Sequence, residues 1–206
     1  MNELRPIEVI GDLSRLPASA SGPRNVVWWG NIGFMTIEGT GFALAIAAYL
    51  YLAMQAPAWP PNGHAPPGLF WSAVFTGGLL LSALPNLWVL RCARRKDTRG
   101  VRVGTLAMTV IGAVLLVPRA LEFGQLNAMW YDDGYGSVLW LLLVLHTSHV
   151  VTDLGDTAVQ AVWLWTHQIG DDQFADVEDN ANYWTFVVVT WLPLVAVIHG
   201  LPRVMG

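Results

Sequence analysis

Five apolar stretches, each long enough to cross a bilayer, set the terms on which this chain can fold. A crossing needs about 20 apolar residues in helical form, because a segment surrounded by lipid must satisfy its own backbone hydrogen bonds. The stretches run over about 26–54, 69–90, 103–129, 137–167 and 183–201. Of the 206 residues, 54% are hydrophobic and 13% charged, roughly half the charged fraction of ordinary soluble domains. The expected architecture is an all-α integral membrane protein. Its five-transmembrane-helix bundle, residues 26–206, follows a polar cytoplasmic tail, residues 1–25.

Charge placement gives the orientation. The segment RCARRKDTRGVR, Arg91 to Arg102, holds six Lys or Arg in twelve residues. Such a loop is expected in the cytoplasm and reads as a topology anchor, with no nucleic acid as a partner. Three more Arg lie in residues 1–25, so nine of the eleven Lys and Arg fall on one side if the N-terminus is cytoplasmic and the C-terminus outside. Met1 to Asn25 has no apolar centre, so the first span is expected to direct its own insertion. Two other connections are read as loops. Gln55 to Gly68 has five prolines and no charge and is expected to be an extended connector; Gln168 to Asn182 is expected to be an acidic cytoplasmic loop. The single cysteine, Cys92, excludes a disulfide framework and reads as a reduced thiol in the basic loop.

The fourth stretch is the least ordinary. It carries His146, His149, Asp153, Asp156, Gln160 and His167, and at about 100° per residue these fall within roughly 80° of one another. Imidazoles and carboxylates on one seam of a membrane helix must face protein, water or an ion. Glu38 in the first stretch shares a face with Asn31 and Tyr49 and has no partner in its own helix. Arg119 and Glu122 in the third are i, i+3 neighbours, suited to an intrahelical ion pair. Two outcomes stay open. Glu38, Arg119, Glu122, His146 and His149 can form a hydrogen-bonded network able to pass protons. Alternatively Glu38, Glu122, His146, His149, Asp153 and Asp156 can bind one or two iron, manganese or zinc ions, as carboxylate and histidine sets do in helical bundles. No catalytic nucleophile is expected, since Ser148 beside His149 lacks the strand-to-helix turn that would activate it.

Several motifs resemble haem-copper oxidase subunit III. The stretch DGYGSVLWLLLVLHTSHVV looks like that family's acidic turn D-G-x-Y-G-S leading into a helix with H-x-x-H-V. Glu178 followed after four residues by YWTFVVVTW resembles E-x-x-x-x-YWHFVDxVW. WWG followed by FMTIEGTGF resembles the family's Trp-Gly entry and its helix with the membrane glutamate, here Glu38. PRALEF resembles Q-x-x-E-Y and assigns Glu122. The likeness covers about residues 28 to 203 and is similar to the five-helix bacterial form. Some positions depart from it: Thr185 stands for His, Val188 for Asp, Arg119 for Gln, Phe123 for Tyr, and Thr152–Asp153 for Gly-Gly.

The resemblance implies a non-catalytic subunit of a respiratory haem-copper terminal oxidase (cytochrome c or quinol oxidase) in a bacterial cytoplasmic (inner) membrane. Its partners would be subunits I and II, which hold the haem and copper, and membrane phospholipid. This chain would carry no cofactor itself and would support stability, lipid binding and proton uptake. The alternatives are a stand-alone membrane metalloprotein or oxidoreductase, and an accessory protein of nitric oxide reductase.

Overall fold

The structure is a computed structural model in which residues 26–205 are described; the expected tail, residues 1–25, lies outside the described residues. Five helices long and apolar enough to span a membrane follow one another: α1 (Val26–Gln55), α2 (Phe70–Arg94), α3 (Thr98–Phe123), α4 (Gly134–Thr166) and α5 (Asp171–Val195). A π-helical turn (Ala196–Gly200) and α6 (Leu201–Val204) continue α5. The 33 residues of α4 span about 50 Å, against a hydrocarbon layer of about 30 Å, so α4 must project beyond the lipid.

Helix α4 lies at the centre against α1, α3 and α5, while α2 fills the side between α3 and α5. Helix α1 rests on α4 and α5. Apolar side chains occupy the interior, where Phe75, Leu79, Leu139, Leu142 and Leu143 are fully buried. They also cover the outside, where Ile37, Leu44, Leu81, Val114 and Val159 are exposed. Such a surface would be a large apolar patch in water; in a bilayer it is the solvated face. Polar groups are therefore left for the interior.

The connections differ from their sequence expectations. Residues 168–182, expected as a loop, are helical from Asp171 onward. Asp171 and Asp172 sit in the first turn, where the helix dipole favours them, and the Gln173 side chain accepts from the Gly170 amide at 2.7 Å. Low hydropathy marks where this helix leaves the lipid, and the helix itself runs on. The basic segment is also mostly helix. Arg91 and Arg94 close α2, and Asp97 caps α3 by accepting from the amides of Arg99 and Gly100 at 3.1 and 3.0 Å. Cys92, expected in a loop, is buried within α2. It packs so closely on Gly100 that a Cβ there would lie 2.6 Å from the thiol sulfur.

The proline-rich connection folds back as a cap. Trp59 is 1% exposed, edge-on to Tyr49 and Tyr135 at ring-centroid distances of 5.1 and 5.0 Å. His64 and Asn62 both reach Asp133, the N-cap of α4, at 3.2 and 2.9 Å. Asp133 in turn accepts from the Gly136 amide at 2.8 Å. Gly136 is required by close approach, because a Cβ would run into the Met129 carbonyl oxygen. The D-G-Y-G-S turn is thus explained by a cap and a steric limit. Burial would push the Asp133 carboxyl up, but the Gly136 amide, the Asn62 side chain and His64 outweigh it and hold it below the usual carboxylate range.

One charged cluster is sealed inside. Arg119, 1% exposed, donates to Glu122 at 2.6 Å, and its guanidinium lies between the rings of Phe75 and Trp191, 3.6 and 4.1 Å from their centroids. It also donates to His146 Nδ1 at 3.3 Å. A guanidinium cannot accept, so the His146 proton lies on Nε2, which donates to the Val187 carbonyl at 3.0 Å. From the π turn, His199 donates to the other oxygen of Glu122 at 3.3 Å. Helices α3, α4 and α5 are tied together by this one set of contacts.

Two outcomes follow from these contacts. Arg119→Leu or Glu122→Leu alone leaves a buried charge unpaired and costs about 3–5 kcal/mol; the double substitution costs less than either. Thermal unfolding in detergent measures this, and a double variant weaker than both singles would refute it. Asp133→Ala removes a helix cap and costs about 1 kcal/mol at neutral pH. Because the folded carboxyl titrates below the unfolded one, that contribution is present above the ordinary carboxylate value of about 4. It is lost as pH falls through the lower folded value. Acid unfolding curves of parent and variant should therefore converge at the acid end.

Candidate functional site

The second polar cluster is open to the surface. It lies in a crevice of about 770 Å³ between α1, α4 and α5. Glu38 comes from the middle of α1 and meets His149 of α4, Oε1 to Nε2, at 3.2 Å. Tyr183 of α5 donates its hydroxyl to the other Glu38 oxygen at 2.8 Å. Three helices thus converge on one carboxyl. Phe42, one turn beyond Glu38 on α1, covers the His149 ring with centroids 4.8 Å apart.

The protons in this group can be counted. The Leu145 carbonyl stands 2.6 Å from His149 Nδ1 and can only accept, so Nδ1 carries a hydrogen. The contact between Nε2 and Glu38 then needs one proton, on either side. With that proton on the ring the pair is imidazolium and carboxylate; with it on the carboxyl the pair is neutral. Both states keep the same heavy-atom contacts. That proton can therefore shift between ring and carboxyl while the heavy atoms stay in place.

Farther along the crevice Asp153, 1% exposed, accepts from Asn180 at 3.3 Å through Oδ1, while Oδ2 has no protein partner. Asn180 is also bonded to Thr157, at 3.1 Å. Asp156 and Gln160 line the same space, with Asp176 and Asp179 from α5 opposite. Asn31 of α1 reaches across to the Asp179 carbonyl at 3.0 Å, a second polar tie between α1 and α5.

The stripe residues are thus dealt to different neighbours. His146 turns to Arg119, His149 to Glu38, Asp153 to Asn180; Asp156 and Gln160 line the crevice; His167 sits at the exposed end of α4, stacked on Trp163 with centroids 4.7 Å apart. The alternative metal set of Glu38, Glu122, His146, His149, Asp153 and Asp156 is not brought together as one ligand shell. Among the described residues no three His, Cys, Asp or Glu converge closely enough to hold an ion. Glu122 and His146 are already committed to Arg119, and Glu38 to His149 and Tyr183.

Tyr183, Asn180 and His199 are members of these clusters that sequence reasoning did not assign. Tyr183 stood only inside a motif, and Asn180 fell in what was read as a loop. His199 had a usable signal, an imidazole in an apolar span, but its direction depends on the π turn.

No family model matches this chain. Curated proteins do. It is 25% identical over 178 residues to the cytochrome c oxidase subunit 3 of Synechocystis sp., covering 84% of this chain and 75% of that one. It is 25% identical over 177 residues to the cytochrome c oxidase subunit 3 of Thermostichus vulcanus, covering 84% and 87%. With the protein of the same name from Rhizopus stolonifer it shares 24% over 159 residues, 77% of this chain but 56% of that one. Five helices able to span a membrane support a multi-pass membrane protein, and the curated proteins it is similar to are named cytochrome c oxidase subunit 3.

Proposed function

We propose that this chain is a non-catalytic subunit III of a respiratory haem-copper terminal oxidase in a bacterial cytoplasmic membrane. In this reading it packs on subunits I and II and on membrane phospholipid, and the haem and copper reside in those partners. The support is the likeness to proteins named cytochrome c oxidase subunit 3 across 84% of the chain. The single observation that carries a proton role is the Glu38–His149 pair, in which one proton has two positions and Tyr183 steadies the carboxyl. The crevice would connect that pair to the aqueous side bearing the Arg91–Arg102 segment. In the same reading Arg119, Glu122 and His146 are structural, because their mutual contacts are buried and both ring nitrogens of His146 are engaged.

The test starts from native membranes. The tagged chain, purified in mild detergent, should carry haem at a constant ratio, read in a reduced-minus-oxidised optical spectrum. Chain without haem would sink the subunit reading. In the intact complex Glu38→Gln should slow oxygen reduction by about tenfold, equivalent to about 1.4 kcal/mol of barrier, at unchanged haem content. A complex with undiminished rate and undiminished lifetime during turnover would remove the proton role while leaving the subunit reading in place.

A further inference from the structure

The crevice holds more negative charge than a proton relay needs. Glu38, Asp153, Asp156, Asp176 and Asp179 all line it, and its described lining contains no Lys or Arg. A second cavity of about 270 Å³ shares Asp156, Gln160 and Asp176 with it and adds Trp163 and Gln173. Measured along α4 from His149 to Trp163, the joined space is about 21 Å long. It opens at the end of the bundle where α2 and α3 meet the basic segment, since α4 ends and α5 begins there.

Two buried atoms in this space lack a partner among the described residues: Asp153 Oδ2 and the Gln160 side-chain oxygen. The Gln160 oxygen can only accept, and Asp153 accepts when ionised, so a ligand completing both donates hydrogens. The surrounding carboxylates favour a donor that is also a cation. A bare metal ion does not suit the geometry, because among the described residues no three acidic or imidazole groups converge. The carboxylates are instead strung along the groove. Trp163 at its outer end adds an aromatic surface of the kind that attracts ammonium groups.

We propose that this groove binds an elongated polyamine, with Asp153 and Gln160 accepting from an inner ammonium and Asp156 and Asp176 facing an outer one. The ligand enters from the end that carries the basic segment. Bound there, it neutralises the groove and sits next to the Glu38–His149 pair, so occupancy alters how readily that pair exchanges protons. This goes beyond the subunit reading and does not depend on it.

Spermidine is the probe. The full-length chain, purified with whatever subunits accompany it, is titrated calorimetrically at fixed ionic strength. Saturable binding is expected, weakened about tenfold or more by Asp153→Asn or Asp176→Asn, each of which removes a carboxyl from the groove. Asp171→Asn, an exposed acid paired with Lys96 outside the groove, should leave it unchanged. If Asp153→Asn does not fold, Asp176→Asn and Asp156→Asn decide the matter. No saturable binding would overturn the proposal, as would equal weakening by Asp171→Asn. So would displacement by magnesium at matched ionic strength, which would mean an inorganic cation, or by added phosphatidylethanolamine, which would mean a lipid headgroup. The readout is binding, so its failure leaves the haem test of the subunit reading untouched.

Discussion

Lipid does not solvate charge, and the interior of this bundle is arranged around that fact. Arg119 is the extreme case: a permanent cation, 1% exposed, in the last two turns of an apolar helix. A carboxylate, an imidazole and two aromatic faces replace the water it has lost. Those groups come from α2, α3, α4 and α5, so satisfying one side chain fixes how four helices sit. Breaking one link exposes the others to an environment that cannot compensate them.

The two polar clusters solve the problem differently. Around Arg119 the charges cancel, every partner is fixed, and the rings of Phe75 and Trp191 close the space. Around Glu38 the contacts leave one proton with two resting places, and the crevice leaves the pair open to the surface. His146 and His149, one turn apart on α4, illustrate the contrast. The first is locked in one tautomer by Arg119 and the Val187 carbonyl; the second, held only by the Leu145 carbonyl on one side, is free to share with Glu38 on the other.

Much of this was legible in the sequence because length and hydropathy decide membrane helices almost alone. The Arg119–Glu122 pair was legible too, since i, i+3 spacing on a helix leaves little choice. What lay across helices was not. Glu38 gave no hint in its own helix that His149 and Tyr183 would meet it, and whether ligands on different helices converge is something no single-chain spacing encodes. The start of α5 was misread because hydropathy reports where lipid ends, whereas acidic residues in a first turn are what a helix N-terminus prefers. The proline-rich connection was misread because its one large side chain, Trp59, found an aromatic pocket between Tyr49 and Tyr135.

The π turn at Ala196–Gly200 has a consequence for chain length. A π turn holds one residue more than the α-helical register allows, so the five residues behave as a stored insertion. Because the turn already absorbs that residue, deleting one of the five would restore regular helix and leave the segment beyond it close to its present phase. His199, which lies within the turn, is the residue whose aim at Glu122 depends on it; Arg203 beyond it, which holds the Pro67 carbonyl at 2.7 Å, would keep its place. The turn thus tolerates the loss of one residue better than regular helix would, and the effect of that loss falls on His199.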